Sequence, residues 1–172
     1  TPRFNGLGWV MEGDGTNLIL HSEDFSNAAW TKDDSSVAAN AVNSPDGTLT
    51  ADSIVQTLAS GSLKQIITVA SDAETRTNSV FIKQNTAPTC RLRIQYGGGT
   101  AVTVDKEIDF STIDSDATIE SLADGWYRVE VSATNNNTNT SCRLTLFPDR
   151  SDSGLATYAW GAQLEESPFA TS

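Results

Sequence analysis

The feature that most constrains this chain is a period-2 alternation of apolar and polar side chains, repeated in short runs between turn clusters. In Cys90–Tyr96, the residues Cys90, Leu92, Ile94 and Tyr96 fall on one side of an extended backbone, with Arg91, Arg93 and Gln95 on the other. Cys142–Phe147 repeats the pattern, with Cys142, Leu144 and Leu146 inward and Arg143 and Thr145 outward. Trp126–Thr134 turns Tyr127, Val129 and Val131 inward and Trp126, Arg128, Glu130 and Ser132 outward. Ala101–Phe110 turns Val102, Val104, Ile108 and Phe110 inward, against Thr103, Asp105, Glu107 and Asp109. Leu63–Val69, Ser79–Lys83, Thr118–Leu122 and Thr157–Glu165 read as further strands. No run reaches helical length with a 3.6-residue period. Turn signals such as Ser44-Pro45-Asp46-Gly47-Thr48 separate the runs. Strands that are apolar on one side only must bury that side against a second layer. The expected fold is therefore all-β, one antiparallel β-sandwich, and 172 residues are enough to bury its core. Leu18, Ile67, Val80, Leu92, Val129, Leu144 and Leu164 are the expected core residues.

The stretch Asn17–Trp30 is expected to clasp that sandwich. Leu18-Ile19-Leu20 is long enough for one buried strand. Ser22-Glu23-Asp24 makes a polar bend, and Phe25 and Trp30 return to the interior. Before it, Gly6, Gly8, Gly13 and Gly15 make residues 1–16 too flexible for a helix. This segment is read as an extended arm or linker, with residues 17–172 forming the sandwich. Trp9 on the arm is either a packing anchor or an exposed contact.

Four landmarks carry a resemblance. They are Thr1-Pro2-Arg3-Phe4 with Thr16-Asn17, then Asn17-Leu18-Ile19-Leu20 followed by Ser22-Glu23-Asp24-Phe25-Ser26-Asn27-Ala28-Ala29-Trp30. The third is Asp124-Gly125-Trp126-Tyr127-Arg128-Val129. The last is Tyr158-Ala159-Trp160-Gly161-Ala162-Gln163-Leu164-Glu165-Glu166 with Phe169-Ala170-Thr171-Ser172. Together they resemble a jelly-roll module of phage tail and other virion proteins, which is similar to the non-catalytic carbohydrate-binding modules of glycoside hydrolases. The resemblance implies a jelly roll. It also implies a virion location, with assembly in the bacterial cytoplasm followed by release, and a piece of something longer. Trp30 and Trp160 belong to the motifs that carry it and are expected in the core.

Twenty-two acidic against eleven basic residues give a formal charge of −11, which argues against nucleic acid or an anionic membrane surface as partner. No apolar run approaches the roughly 18 residues of a membrane-crossing helix. His21 is the single histidine and has no nucleophile motif near it. Glu23 with Asp24, and Glu165 with Glu166, are acid pairs that nothing in the spacing selects, so no enzyme is expected. There is no His/Cys cluster for zinc and no EF-hand loop. The resemblance would point to a structural calcium at Asp24, but the closing strand carries Trp160-Gly161 where such modules tend to carry aspartate. No metal or other cofactor is assigned.

If the alternating strands share one sheet, its outer face mixes Arg, Glu, Asp and Gln around Trp126. Such a face binds sugars, with a ring covering the apolar side of a pyranose and planar polar groups meeting its hydroxyls. It is equally the pattern of cross-strand ion pairs. The candidate sugar-binding residues are Tyr96 and Trp126 for stacking, and Arg93, Arg128 and Glu130 for hydrogen bonding. Cys90 and Cys142 start two similar strands in inward phase; they are either a disulfide or two buried thiols. Two functions follow. One is a tail-fibre or tail-associated module binding host-surface polysaccharide. The other is a capsid-decorating or tail structural protein whose partners are virion subunits. Either would assemble as a homo-oligomer, a trimer being expected, with the arm against a neighbour.

Overall fold

The computed structural model describes residues 2–4, 9–11, 15–149 and 154–171, the first two segments by backbone alone. In chain order the strands are β1 (Pro2–Phe4), β2 (Trp9–Met11), β3 (Thr31–Asp33), β4 (Ser35–Val42), β5 (Ala51–Gln56) and β6 (Ser62–Thr68). They continue with β7 (Thr75–Gln84), β8 (Thr89–Gly97), β9 (Val102–Asp109), β10 (Ile119–Ser121), β11 (Trp126–Thr134), β12 (Ser141–Phe147) and β13 (Ala156–Glu165). No α-helix occurs among the described residues. A six-stranded sheet in the order β10-β11-β7-β13-β5-β4 faces a five-stranded sheet in the order β3-β6-β12-β8-β9. Every pairing is antiparallel. The expected all-β sandwich is the observed fold. Within the expected arm, β1 and β2 pair antiparallel as a ladder of their own, with Phe4 opposite Trp9. The side chain of Trp9 and the expected turns through Gly6, Gly8 and Gly13 lie outside the described residues.

The core is where the two inward faces meet. Val80, Leu92, Val129, Leu144 and Leu164 are buried as expected, while Leu18 and Ile67 pack against the cluster partly covered. Asn78 and Arg76 are buried polar side chains on the inward side of β7, and Asn78 bridges the sheets. Its amide donates to the Arg93 carbonyl at 3.0 Å and the Arg143 carbonyl at 3.4 Å, tying one sheet to the backbone of the other. Three strands of the sandwich were not foreseen: β3 is only three residues long, β4 is built of small residues, and β5 buries Asp52 and Ser53 beside Ile54.

The clasp forms, with one correction. Leu18-Ile19-Leu20 is extended but is not a ladder strand, and Leu20 is 62% exposed. Its polar groups are met by one backbone bond and by side chains: the Leu18 N–H donates to the Leu164 carbonyl, Asn17 Oδ1 accepts from the Ile19 and Leu164 N–H groups, and Leu20 exchanges two bonds with Gln65. Phe25 and Trp30 are buried edge to face at 4.9 Å, and the Trp30 indole donates to the His21 carbonyl. Asp52 anchors the bend by accepting the Phe25 and Asn40 N–H groups at 2.9 Å each, and burial pushes its pKa up.

The disulfide alternative for Cys90 and Cys142 is excluded. They sit at opposite ends of neighbouring antiparallel strands, since Cys142 faces Tyr96, six residues along β8 from Cys90. At about 3.4 Å per residue that is about 20 Å, against the roughly 7 Å a disulfide tolerates. Both are free buried thiols.

Candidate functional site

The site lies on the outer face of the six-stranded sheet, and a bulge in β13 builds it. Trp160 pairs with Phe81 and Gln163 pairs with Ser79, so three steps on β13 match two on β7. The extra residue is accommodated by Gly161, whose φ of +61° is a left-handed conformation that glycine adopts without strain. Without the bulge, Trp160 and Gln163, three residues apart, would point to opposite faces. With it, both point outward. The strand groups that the bulge frees are taken up by the clasp: Asn17 Nδ2 donates to the Ala162 carbonyl, and the Ala162 N–H donates to the Ser22 carbonyl.

Registers across the sheet place Arg128 beside Phe81 and Phe81 beside Trp160, with Glu120 of β10 beside Arg128. These residues, with Gln163, floor a cleft of about 360 Å³ whose walls are Asn17, Ser22, Glu23 and Leu122. The Phe81 and Trp160 rings are 5.4 Å apart, tilted by 57°, and the Arg128 guanidinium lies 5.8 Å from the Phe81 ring centre. Arg128 is 6% exposed and held in place: it donates to the Thr171 carbonyl at 2.5 Å and to Gln163 Oε1 at 3.2 Å, with Glu130 Oε1 at 3.6 Å. Gln163 Oε1 also accepts from the Ser79 hydroxyl, which fixes the amide with its nitrogen unpartnered among the described residues. Two donors, the Trp160 indole N–H and the Arg128 Nε–H, are buried without a hydrogen-bond partner among the described residues. Such a cleft offers an apolar floor with amide donors and carboxylate acceptors around it. It suits a ligand with an apolar face and a hydroxylated edge.

The residues expected to bind sugar are not gathered into this site. Tyr96 is fully buried on the inward side of β8, its hydroxyl donating to the Ala133 carbonyl at 3.2 Å. Burial pushes that phenol up to about 12. Trp126 points outward, yet it is 2% exposed because the β4–β5 loop folds over it, and its indole donates to the Asn43 carbonyl. Neither ring offers a face to a ligand, and the stacking roles assigned to them are withdrawn. Arg93 belongs to the other sheet, so it faces away from Arg128. There it makes a two-pronged pair with Asp105 at 2.6 and 2.8 Å and lies with Arg91 over the Phe147 ring. On that face the ion-pair reading holds. Glu130 is beside Arg128 but under the C-terminal segment, where burial raises its pKa and its Oε2 accepts the Ala170 N–H. Of the five, Arg128 alone lines the cleft.

The residues sequence reasoning missed are Phe81, Trp160, Gln163 and Glu120. Strict alternation puts Trp160 in phase with buried Leu164; the single glycine inside a strand run was the available sign of a phase change. Asp24 Oδ1 accepts from the Ser26 N–H and hydroxyl and from the Asn27 N–H. Among the described residues no group of three or more His, Cys, Asp or Glu is placed to hold a metal ion.

No protein-family model and no curated protein sequence matches the chain. Solved structures do. The chain resembles the enzymatically active domain of tailspike protein 4 of bacteriophage CBA120, with a TM-score of 0.61 and 10% identity, over 86% of this chain and 21% of that one. It resembles the C-terminal family 22 carbohydrate-binding module of Clostridium thermocellum Xyn10B, with a TM-score of 0.60 and 11% identity, over 93% and 100%. It also resembles a cyclase from Fischerella sp. TAU, with a TM-score of 0.62 and 11% identity, over 92% and 100%. The chain thus spans about a fifth of the tailspike chain. At these identities the likeness concerns the fold, a jelly-roll-like sandwich shared by carbohydrate-binding modules and a tailspike domain.

Proposed function

We propose that this chain is a non-catalytic module that binds carbohydrate in the cleft on its six-stranded sheet. The observation that carries the reading is the Phe81–Trp160 pair. The pair is held outward by the Gly161 bulge and is ringed by Gln163, Asn17, Glu23 and Glu120. Rings take the apolar side of a pyranose, and amide and carboxylate groups take its hydroxyls. The family 22 module and a family 61 module solved with β-1,4-galactotriose share the architecture and support the reading. The sequence landmarks and the tailspike likeness support a phage virion setting, with the module on a tail fibre or tail and its target on the host surface. Repetition in a trimer would raise avidity without new contacts.

The competing reading, a structural subunit docked on other virion proteins, would favour an apolar face. The large exposed apolar residues Leu20, Leu49, Leu58, Ile66, Phe169 and Val104, the last expected inward, come from six separate segments of the sequence. A glycan array with wild type, Trp160→Ala and Phe81→Ala tests the choice. Removing a stacking ring costs about 1–3 kcal/mol, by analogy with ring–base stacking. At about 1.4 kcal/mol per tenfold, wild type binds and each variant weakens by about 5-fold or more. A wild type that binds no glycan, or variants that bind as it does, removes the reading in favour of the structural one.

A further inference from the structure

Resting on that reading, we infer that the cleft is blind and receives the neutral terminal sugar of a glycan rather than a stretch from the middle of a polymer. Three sides are closed by the chain itself. Below it, residues 166–171 are strapped across the sheet: Thr77 and Ser132 donate to the carbonyls of Ser167 and Pro168. Glu130 accepts from Ala170, and Thr171 is held by Glu165. The strap covers outward positions that would otherwise continue the floor beyond Gln163. Above, the β4–β5 loop reaches Trp126 through Asn43, over a row in which Trp126 is buried and Lys83 and Tyr158 are half-buried. At the far end stands the Ser22–Asp24 bend. Glu23 lines both this cleft and a separate polar cleft formed with Asp24, Ser26, Asn40, Thr50 and Asp52, so the bend divides the sheet face in two. The His21 φ of +53° and the bond from Ala162 to Ser22 hold it there.

What remains is an opening at the β10 edge, beside exposed Glu120. A polymer bound through its interior needs two exits; this cleft has one. Its volume of about 360 Å³ is at the small end for a ligand site. The rim also sets charge preference. Glu23 and Glu120 are acidic, and the single basic lining residue, Arg128, is already committed to Glu130, Gln163 and the Thr171 carbonyl. An incoming carboxylate meets two acidic side chains and a guanidinium whose charge is already paired with Glu130, with only its Nε–H open among the described residues.

The test is an array that shows each sugar both at a chain end and inside a longer chain, including terminal sialic and uronic acids. Calorimetry then follows with mono- to hexasaccharides of the sugar that binds. The expected result is signal from neutral chain ends only, with the hexasaccharide within threefold of the disaccharide. Signal from internal sugars, from terminal acids at equal strength, or a gain of more than threefold with length overturns the blind cleft while leaving the carbohydrate site intact. No signal from any sugar overturns the carbohydrate reading itself, and this inference with it.

Discussion

Replacing Gly161 by alanine couples backbone strain to the cleft in one atom. At a φ of +61°, a Cβ on residue 161 would stand 3.0 Å from Phe81 Cδ2 and 3.3 Å from Cε2. A non-glycine residue in the left-handed region costs about 1–2 kcal/mol. For a chain of this length, about 2–4 °C of melting temperature is lost per kcal/mol, so Gly161→Ala should melt about 2–8 °C lower. The Phe81 ring must also give way by a few tenths of an ångström, which disturbs its 5.4 Å contact with Trp160. Gly154→Ala is the control. Gly154 has a φ of +85° and, among the described residues, nothing within 4 Å of the added atom, so it pays the backbone cost without touching the cleft. Thermal melts and glycan titrations of the two variants should separate. Both lose stability, and Gly161→Ala alone loses affinity. An unchanged melting temperature for Gly161→Ala refutes the bulge assignment, and unchanged affinity refutes its control of the cleft.

Arg76 is a buried cation, 2% exposed, held by Asp72 in a two-pronged pair and by Glu166 at 2.5 Å. Asp72→Ala leaves it with one exposed partner and should cost about 2–3 kcal/mol in chemical denaturation, less than breaking a fully buried pair. The Arg76 hydrogen bonds hold the Asp72 carboxyl down to about 2, below its unperturbed 3.8. That stabilisation is complete above about pH 4 and lost as pH falls through about 2, and wild type should lose more stability than Asp72→Ala across that window. Burial raises the thiol pKa of Cys90, and that of Cys142 to about 12. A thiol reagent at pH 8 should therefore titrate neither in the native protein and both in denaturant, and a reductant should leave the melting temperature unchanged. Rapid native labelling, or fewer than two thiols after unfolding, would contradict this.

Much of the sandwich was legible because alternation is a local signal. In β8, β11 and β12 each strand fixes its own inward set, and Leu92, Val129 and Leu144 are buried as the pattern requires. Strand β4, Ser-Ser-Val-Ala-Ala-Asn-Ala-Val, carries almost no apolar contrast, and its buried partner β5 includes Asp52; neither shows the pattern. The site was harder, because it depends on non-local facts. Alternation says that Arg93 and Arg128 face outward, but only strand pairing says that they do so on opposite sheets. Trp126 also faces outward, and only the β4–β5 loop, meeting it through Asn43, buries it. Tyr96 was the reverse case. Its inward phase was the right guide, and the neighbouring Gly97-Gly98-Gly99 made it look like a loop-edge residue. Trp160 needed the Gly161 bulge to be recognised, because one inserted residue reverses the phase of everything beyond it.

The most direct test of the account uses the tryptophan side chains as reporters. The chain has four, and each gives its own indole N–H cross-peak in a proton–nitrogen correlation spectrum of labelled protein. Trp30 and Trp126 are each 2% exposed, whereas Trp160 lines the cleft. On titration with the glycan selected by the array, the account predicts a saturable shift of the Trp160 indole peak, with the Trp30 peak unmoved and the Trp126 peak at most slightly perturbed. A titration that shifts the Trp126 peak most, or leaves the Trp160 peak in place while the glycan binds, would contradict the placement of the site.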